Sequence, residues 1–177
     1  MSRLIQNLAL VGFMGTGKSS VGRLAAEVLQ FDFIDTDDWI ERQTGKSIAE
    51  IFANQGEAAF RAVEEQTVAQ LGQRANTVIA TGGGLVANPA NLASLKEHAL
   101  VVCLWAAPET IWERVRTQTH RPLLRTADPL AKIRELLAER DSAYRQADVL
   151  IHTGLRPPKE VVQQVIYQFH LARKSSR

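Results

Sequence analysis

The sequence predicts an α/β fold in which a five-stranded parallel sheet carries helices on both faces. Three observations support this prediction: short apolar runs recur along the chain, helical stretches separate them, and a glycine-rich loop follows the first run. The runs are too short for helices, and most lack strict alternation of apolar and polar residues, which is typical of strands covered on both sides. They cover residues 8–11, 31–34, 77–80, 100–104 and 149–151.

Stretches with helical periodicity separate or follow these strands. In the first of them, Val21, Leu24, Val28 and Leu29 fall on one side. Strands that alternate with helices form a parallel sheet, and the ligands of such sheets bind beyond the carboxyl ends of the strands. The predicted helices cover residues 19–29, 39–43, 47–71, 90–97, 108–117, 129–144 and 159–172.

Length and composition indicate one compact globular domain over residues 1–177. The formal net charge of +2 does not suggest a general nucleic-acid or membrane role. Neither a membrane-spanning stretch nor a signal-peptide pattern is found, so we expect a cytoplasmic protein. The single cysteine, Cys103, lies in an apolar run and is predicted to be buried. Core packing is expected for Trp39, Trp105 and Trp112, although Trp39 could instead wall a pocket beside its acidic neighbours.

Residues 12–19 read G-F-M-G-T-G-K-S and match the phosphate-binding pattern G-x-x-x-x-G-K-S between a predicted strand and a predicted helix. The glycines let backbone N–H groups turn toward a β-phosphate, and the helix N-terminus adds partial positive charge. Lys18 is predicted to reach the β- and γ-phosphates, and the Ser19 hydroxyl to ligate Mg²⁺. A glycine-rich turn that precedes a lysine by chance is the alternative. The predicted nucleotide-binding residues of this loop are Gly12, Gly15, Thr16, Gly17, Lys18, Ser19 and Ser20.

Carboxylates cluster after the second predicted strand, in the order Asp35, Thr36, Asp37 and Asp38. Either Asp37 or Asp38 could cap the helix predicted from residue 39. Phosphoryl transfer offers a second reason, because it needs an anionic partner for a metal and an acceptor for the proton of the attacking hydroxyl. Residues i and i+2 at the end of an extended strand point the same way. We therefore expect Asp35 to face Mg²⁺ and Asp37 to face the acceptor.

Three further features can be interpreted either as structural or as functional. The glycines of residues 82–84 form either a tight turn or a bare loop whose amides can approach a ligand. Arg61 either pairs with Glu57 or Glu64 at the surface or grips a substrate carboxylate with two parallel hydrogen bonds. Arg140, which lies between Glu139 and Asp141, either forms a solvated ion pair or binds a substrate carboxylate.

A loop with the composition of a mobile lid separates two predicted helices. Residues 117–126 read T-Q-T-H-R-P-L-L-R-T and contain two arginines. A lid that closes over ATP needs positive charge and excludes water. An exposed basic connector is the alternative.

Taken together, these segments resemble shikimate kinase, a small P-loop enzyme of aromatic amino-acid biosynthesis. The resemblance runs from the loop at residue 12 to residue 148. It rests on several motifs in the same order: G-F-M-G-T-G-K-S at 12–19, F-I-D-T-D at 33–37, G-E-x-x-F-R-x-x-E at 56–64, G-G-G at 82–84 and R-P-L-L at 121–124.

The resemblance implies a three-layer P-loop kinase fold with a substrate-binding subdomain near 35–65 and a lid near 115–126. It implies transfer of the γ-phosphoryl group of ATP to the 3-hydroxyl of shikimate, with Mg²⁺. We expect a monomer, since no large spare apolar face stands out in the sequence. The resemblance implies that Asp37 binds the shikimate hydroxyls and accepts the proton, while Arg61 and Arg140 bind the shikimate carboxylate. It implies backbone contacts to shikimate from Gly82, Gly83 and Gly84. On the nucleotide side, it implies phosphate stabilisation by Lys18 and Arg121, Mg²⁺ binding by Ser19 and Asp35, and an adenine contact near Leu155 or Arg156.

The chain departs from the family pattern beside Arg140. A proline that family members often carry before the following tyrosine is absent from the stretch R-D-S-A-Y, and the acidic residues that often follow are replaced by Arg145 and Gln146. Arg140 is therefore the less firmly assigned of the two carboxylate-binding arginines.

Other functions predict other motifs. A kinase for another small hydroxy acid, such as gluconate, would share the phosphate loop and lid, but should lack the F-R motif and the G-G-G loop in this arrangement. A nucleoside monophosphate kinase needs groups that read a second base. The N-K-x-D pattern of GTPases and the L-S-G-G-Q pattern of ABC-type ATPases are absent from the sequence. A non-catalytic nucleotide-binding module would not need Lys18, Ser19, Asp35 and Asp37 together.

Overall fold

A computed structural model describes residues 3–117, 124 and 126–175. It confirms a five-stranded parallel sheet with strand order β2-β3-β1-β4-β5. The strands are β1 (Asn7–Val11), β2 (Asp32–Asp35), β3 (Thr77–Ala80), β4 (Ala99–Trp105) and β5 (Val149–His152). The helices are α1 (Lys18–Leu29), α2 (Thr36–Thr44), α3 (Ile48–Leu71), α4 (Pro89–His98), α5 (Pro108–Val115), α6 (Pro129–Tyr144) and α7 (Pro158–Ser175), with a short 3₁₀ helix at Leu85–Ala87.

The register of the sheet brings the carboxyl ends of four strands to one edge. Leu10 of β1 lies beside Ala80 of β3, which in turn lies beside Asp35 of β2. On the other side of β1, Val11 lies beside Cys103 of β4. The loops that carry the predicted site residues therefore all leave the sheet at the same edge, as expected for an open parallel sheet.

Both faces of the sheet are buried, and this explains why the strands lack alternation. Ala9, Val11 and Cys103 face a core formed with α3, α4, α5 and α6. Leu8 and Leu10 face a second core formed with α1 and α7. Burial raises the pKa of the Cys103 thiol to about 12, as expected for an inert core cysteine.

The buried stripe of α1 differs from the predicted one. It consists mainly of small residues, among them Gly22, Ala25 and Ala26, whereas Val28 is 64% exposed. The helix lies so close to β2 that a Cβ on Gly22 would come within 2.7 Å of the Phe33 ring. A count of large apolar residues could not find this stripe, because the close approach selects for small side chains.

Two further expectations are corrected. Trp105 ends β4 with 47% of its surface exposed and its ring beside that of His152, so it is not a core residue. The long helix α3 is interrupted at Gly56, whose φ of 83° and ψ of 172° are not helical.

Trp39 and Trp112 pack against the core as expected. None of the described helices is long and apolar enough to cross a membrane.

Candidate active site

The loop between β1 and α1 has the backbone of a phosphate cradle. Gly12, Gly15 and Gly17 have φ values of 133°, 74° and 96°, which non-glycine residues rarely adopt. A Cβ on Gly12 would also overlap the carbonyl oxygen of Leu104. Glycine is therefore required at these positions for the backbone conformation of the loop, and not only for flexibility.

The two functional side chains of this loop are held in place. The buried Lys18 begins α1, and its Nζ donates to the Phe13 carbonyl at 2.9 Å. The Ser19 hydroxyl donates to Asp35 Oδ2 at 2.7 Å, so the loop is linked to the carboxyl end of β2. The structure thus brings together the hydroxyl and the carboxylate that the sequence predicted for a metal.

The cap of α2 corrects an expectation. Asp35, and not Asp37 or Asp38, caps the helix: its Oδ1 accepts from the Asp37 N–H at 3.1 Å. The chain turns directly after β2, and the helix begins at Thr36 instead of residue 39. Asp37 and Asp38 consequently lie in the first turn, where the helix dipole favours negative charge. The argument from extended i and i+2 residues was therefore wrong, although Asp35 and Asp37 both line the same cavity.

The loop of residues 82–84 lies against the acids of α2. The Gly82 N–H donates to the buried Thr36 hydroxyl at 2.9 Å. A Cβ on Gly82 would come within 2.6 Å of Asp37 Oδ1. The absence of side chains therefore lets Asp37 approach the loop closely, which a simple turn would not require.

Arg61 reaches the other side of the same loop. A Cβ on Gly84 would lie 3.2 Å from Arg61 Nη1. Arg61 also pairs with both predicted surface partners, through Nη1 to Glu64 at 2.6 Å and through Nη2 to Glu57 at 3.0 Å. The guanidinium is thus held by carboxylates and also faces the glycine loop.

Arg140 makes no ion pair of the expected kind with Asp141, which instead pairs with Arg145. Its Nη1 donates to the Gly83 carbonyl at 3.3 Å, and its guanidinium lies over the Phe13 ring at 5.7 Å. The structure therefore places Arg140 beside the glycine loop even though the neighbouring family pattern is missing.

A buried carboxylate supports the arginines. The side chain of Glu64 is only 2% exposed. Burial raises the pKa of this carboxyl above its usual value of 4.5, although the charges of Arg61 and Arg140 oppose the rise. Burial would lower the pKa of Arg61, but Glu64 and Glu57 outweigh it and the net shift is upward.

A cavity of about 630 Å³ opens beside the phosphate loop, a size suited to a small-molecule ligand. It is lined by the phosphate loop, by Asp35 and Asp37, and by Gly82 and Gly83. Arg114, Thr153 and Arg156 also line it. Arg61, Arg140 and Gly84 lie against the glycine loop but do not line this cavity. The predicted residues Gly15, Thr16, Gly17, Lys18, Ser19 and Ser20 all belong to its lining.

Sequence reasoning missed several residues that build the site. Arg114 of α5 donates to the carbonyls of Gly15 at 3.2 Å and of Thr153 at 2.6 Å, so it ties the phosphate loop to the loop after β5. Thr36 lies within the acidic motif of residues 33–37, yet its role as an acceptor for the Gly82 N–H depends on tertiary packing. Arg121, most of the predicted lid and Arg125 lie outside the described residues.

A phosphate loop beside a pocket lined by carboxylates, with arginines around the adjoining glycine loop at the edge of a parallel sheet, is the arrangement of a P-loop kinase of a small molecule. Comparisons with known proteins narrow this class. A sequence model of the family described as shikimate kinase matches residues 14–170. The chain therefore belongs to the shikimate kinase family.

Individual relatives agree with this assignment. The shikimate kinase of Thermodesulfovibrio yellowstonii is 43% identical over 165 residues, which are 93% of this chain and 95% of the relative. That of Thiobacillus denitrificans is 49% identical over 149 residues, which are 84% of this chain and 81% of the relative.

Solved structures extend the agreement to the fold. Shikimate kinase from Acinetobacter baumannii, in complex with shikimate, superposes with a TM-score of 0.88 at 39% identity, covering 97% of this chain and 96% of that one. The enzyme from Aquifex aeolicus gives a TM-score of 0.81 at 37% identity, covering 93% and 96%.

The alternative of a gluconate kinase loses support. A gluconokinase from Sinorhizobium meliloti has a TM-score of 0.61 at only 16% identity, a similarity that shows a shared fold and no more. As a member of the shikimate kinase family, this chain is an ATP-dependent kinase that phosphorylates shikimate.

Proposed function

We propose that this chain transfers the γ-phosphoryl group of ATP to the 3-hydroxyl of shikimate in the cavity described above. The carrying observation is that Asp37 and Arg61, from different helices, lie against Gly82 and Gly84 of one loop beside the phosphate cradle. Such an arrangement can hold a molecule that has both hydroxyl and carboxylate groups.

The nucleotide half is proposed to consist of the cradle together with Arg114 and Arg156, which line the same cavity. The amides of Gly15, Thr16 and Gly17 and of Ser19 and Ser20 are proposed to surround the phosphates, with Gly12 permitting the turn. Lys18 neutralises the β- and γ-phosphates. Arg114 and Arg156 are proposed to contact the base, because both line the cavity beside the cradle.

Mg²⁺ is proposed as the cofactor, held by Ser19 and, through water, by Asp35. The two side chains fit this ion because both supply oxygen and they already lie 2.7 Å apart. Mg²⁺ commonly keeps several waters and takes few protein ligands beside the phosphates. When bound, it would neutralise charge on the transferring group.

The acceptor half holds shikimate by its two kinds of polar group. Arg61 and Arg140 are proposed to bind its carboxylate, because a guanidinium matches a carboxylate with parallel hydrogen bonds. Gly82, Gly83 and Gly84 contribute backbone contacts. Asp37 accepts a hydrogen bond from the hydroxyl that attacks the γ-phosphorus.

In the transfer step, the 3-oxygen forms a bond to the γ-phosphorus while the bond between this phosphorus and the β–γ bridging oxygen breaks. The hydroxyl proton passes to Asp37, and ADP leaves with the bonding electron pair. The protein contributes mainly position and charge, because phosphoryl transfer requires little covalent work from side chains. On the family resemblance alone, Arg121 is proposed to add positive charge from the lid.

The proposed organisation also includes a substrate-binding subdomain over residues 35–65. Its support is a small core of its own, formed by Ile40, Ile51 and Phe60 of α2 and α3. A lid near residues 115–126, a monomeric state and a cytoplasmic location remain predictions from the sequence.

The test is an acceptor comparison with the purified protein, ATP and Mg²⁺. ADP release is measured with shikimate, gluconate or a nucleoside monophosphate as the acceptor, and ³¹P NMR identifies the product. We expect turnover with shikimate and formation of shikimate 3-phosphate. Turnover with gluconate but none with shikimate would overturn the proposal.

A further inference from the structure

The glycine loop of residues 82–84 is held from two sides by hydroxyl groups. At one end, the Gly82 N–H donates to Thr36 Oγ1 at 2.9 Å. At the other, the Gly83 carbonyl accepts from the Tyr144 hydroxyl at 2.5 Å.

Tyr144 shares its acceptor with a residue of the proposed substrate site. Arg140 Nη1 donates to the same Gly83 carbonyl at 3.3 Å. The two side chains are four residues apart and lie on one face of α6. Tyr144 is 7% exposed and packs in the core between the sheet and α6, so its hydroxyl has a fixed position.

We propose that Tyr144 is a positioning residue for the acceptor: its hydroxyl fixes the Gly83–Gly84 peptide and so leaves Arg140 available for the substrate carboxylate. This inference rests on the function proposed above. A charged guanidinium prefers a carboxylate to a neutral carbonyl. When Arg140 turns toward the substrate, Tyr144 is the donor that remains on Gly83.

The peptide in question needs such an anchor. Gly83 and Gly84 have no side chains, and glycine backbones rotate more freely than others. The neighbouring carbonyls are held by backbone amides, Gly82 by Leu85 at 3.2 Å and Gly84 by Ala87 at 3.0 Å. For the Gly83 carbonyl, the donors found among the described residues are Tyr144 and Arg140.

Fixing this carbonyl also fixes the amide on the other side of the peptide. In a trans peptide the N–H points opposite to the C=O, so the Gly84 N–H is directed away from Tyr144. Burial raises the pKa of Tyr144 to about 12, so the hydroxyl remains a proton donor across the physiological range.

The direct test is Tyr144→Phe, which keeps the ring and removes the hydroxyl. The chain has a second tyrosine, and Tyr167→Phe on α7 is a matched control because Tyr167 is 65% exposed and does not line the cavity of the proposed site. We expect the KM for shikimate to rise about tenfold in Tyr144→Phe, as for the loss of one hydrogen bond, while the KM for ATP stays within about twofold. The control should match the wild type in both constants.

A double-mutant cycle separates this role from general stability. In an Arg140→Ala background no guanidinium has to leave Gly83, so adding Tyr144→Phe should raise the KM for shikimate by less than the roughly tenfold rise expected when Arg140 is present. An unchanged KM for shikimate in Tyr144→Phe would overturn the proposal, as would equal rises in both KM values together with a lower melting temperature. An undiminished effect in the Arg140→Ala background would overturn it as well.

Failure of this inference is distinguishable from failure of the proposed function. If the wild type phosphorylates shikimate and Tyr144→Phe behaves like it, only the role of Tyr144 is refuted. If the wild type does not phosphorylate shikimate, the proposed function is refuted and this inference falls with it.

Discussion

The nucleotide half and the acceptor half of the proposed site are built in different ways. The phosphate-binding part of the nucleotide half is a contiguous loop of eight residues, shaped by three glycines with positive φ. The acceptor half combines Asp37, Arg61 and Arg140 with a glycine loop, from segments more than one hundred residues apart. Backbone amides therefore dominate the first half, whereas the second depends on side chains that packing brings together.

The charged groups also differ in their surroundings. Lys18 donates to the carbonyl of Phe13 within its own loop, and Arg61 pairs with Glu57 and the buried Glu64. The phosphate loop owes its shape to glycines with positive φ, so substitution at Lys18 should leave that shape in place. Substitution at Arg61 leaves a buried carboxylate without one of its partners, so its effect extends to stability.

The largest effect is expected for Lys18→Met. Loss of the charge at the terminal phosphates should lower kcat roughly a thousandfold, the upper range for removal of one electrostatic contact to a transition state. Shikimate binding without nucleotide should be retained, because Lys18 belongs to the other half. Steady-state kinetics and isothermal titration calorimetry measure these quantities.

Lys132→Met is the matched control, since Lys132 forms an exposed pair with Glu135 on α6. It should leave kcat unchanged. Activity close to the wild type in Lys18→Met would contradict the role proposed for this residue.

Gly82→Ala should affect the acceptor half only by displacing the Asp37 carboxylate. The new methyl group would come within 2.6 Å of Asp37 Oδ1, so the carboxylate has to move. We expect kcat to fall about a hundredfold, since a displacement near one ångström can cost that much. The dissociation constant of ADP, measured by calorimetry, should stay the same.

The control for this change is Gly72→Ala, at the end of α3 and outside the cavity lining, where φ is −61° and the new Cβ would come no closer than 3.3 Å to another atom. If Gly82→Ala retains full kcat, Asp37 does not need its observed position against the loop.

Arg61→Ala should weaken shikimate binding by about 2 kcal/mol or more, roughly thirtyfold in Kd, because a hydrogen-bonded charge is removed. ADP binding should change little. Calorimetry with each ligand measures the difference, and the exposed Arg42 provides the control Arg42→Ala. Equal losses for both ligands would instead indicate a folding defect.

The smallest effects are expected for two carboxylates, Asp148 outside the site and Glu64 within it. Burial alone would raise the pKa of Asp148, but hydrogen bonds from Arg3 and the Val101 N–H hold it below its usual 3.8. Asp148 therefore adds stability above pH 3.8 that is lost as the pH falls through its folded pKa. We expect Asp148→Asn to lower the free energy of unfolding at pH 7 by about 1 kcal/mol, and by less in acid.

Glu64 has the opposite sign, because its folded pKa is raised. Its ionisation costs stability as the pH rises above about 4.5 through the folded value. In Glu64→Gln this decrease should be absent. Urea unfolding between pH 3 and pH 7 measures both variants, and parallel curves for the two would contradict the assigned shifts.

The fold class could be predicted from local patterns in the sequence. The strand order could not be read from the runs, but a parallel sheet followed from their alternation with helices. The predicted bounds of β3 and α6 agree with the structure, whereas those of α2 differed at its start. Its N-terminus depends on whether Asp35 ends a strand or caps a helix, and in the structure it does both.

For the site, the motifs indicated which residues to consider but not how they are supported. Thr36, Glu64 and Tyr144 lie within or beside recognised motifs, yet their partners are 46, 3 and 61 residues away. Of these contacts, only the one within α3 follows from helical spacing. Arg114 had no sequence signal, because its partners belong to loops that only the fold brings to α5.

By itself, the sequence determined the alternating strands and helices, the phosphate loop and the family, because periodicity, glycine conformation and motif order are properties of neighbouring residues. Only the tertiary structure decided which face of α1 is buried, which aspartate caps α2 and which hydroxyls hold the glycine loop. These features depend on distances between segments remote in the chain, and such distances are set by the packing of helices on the sheet.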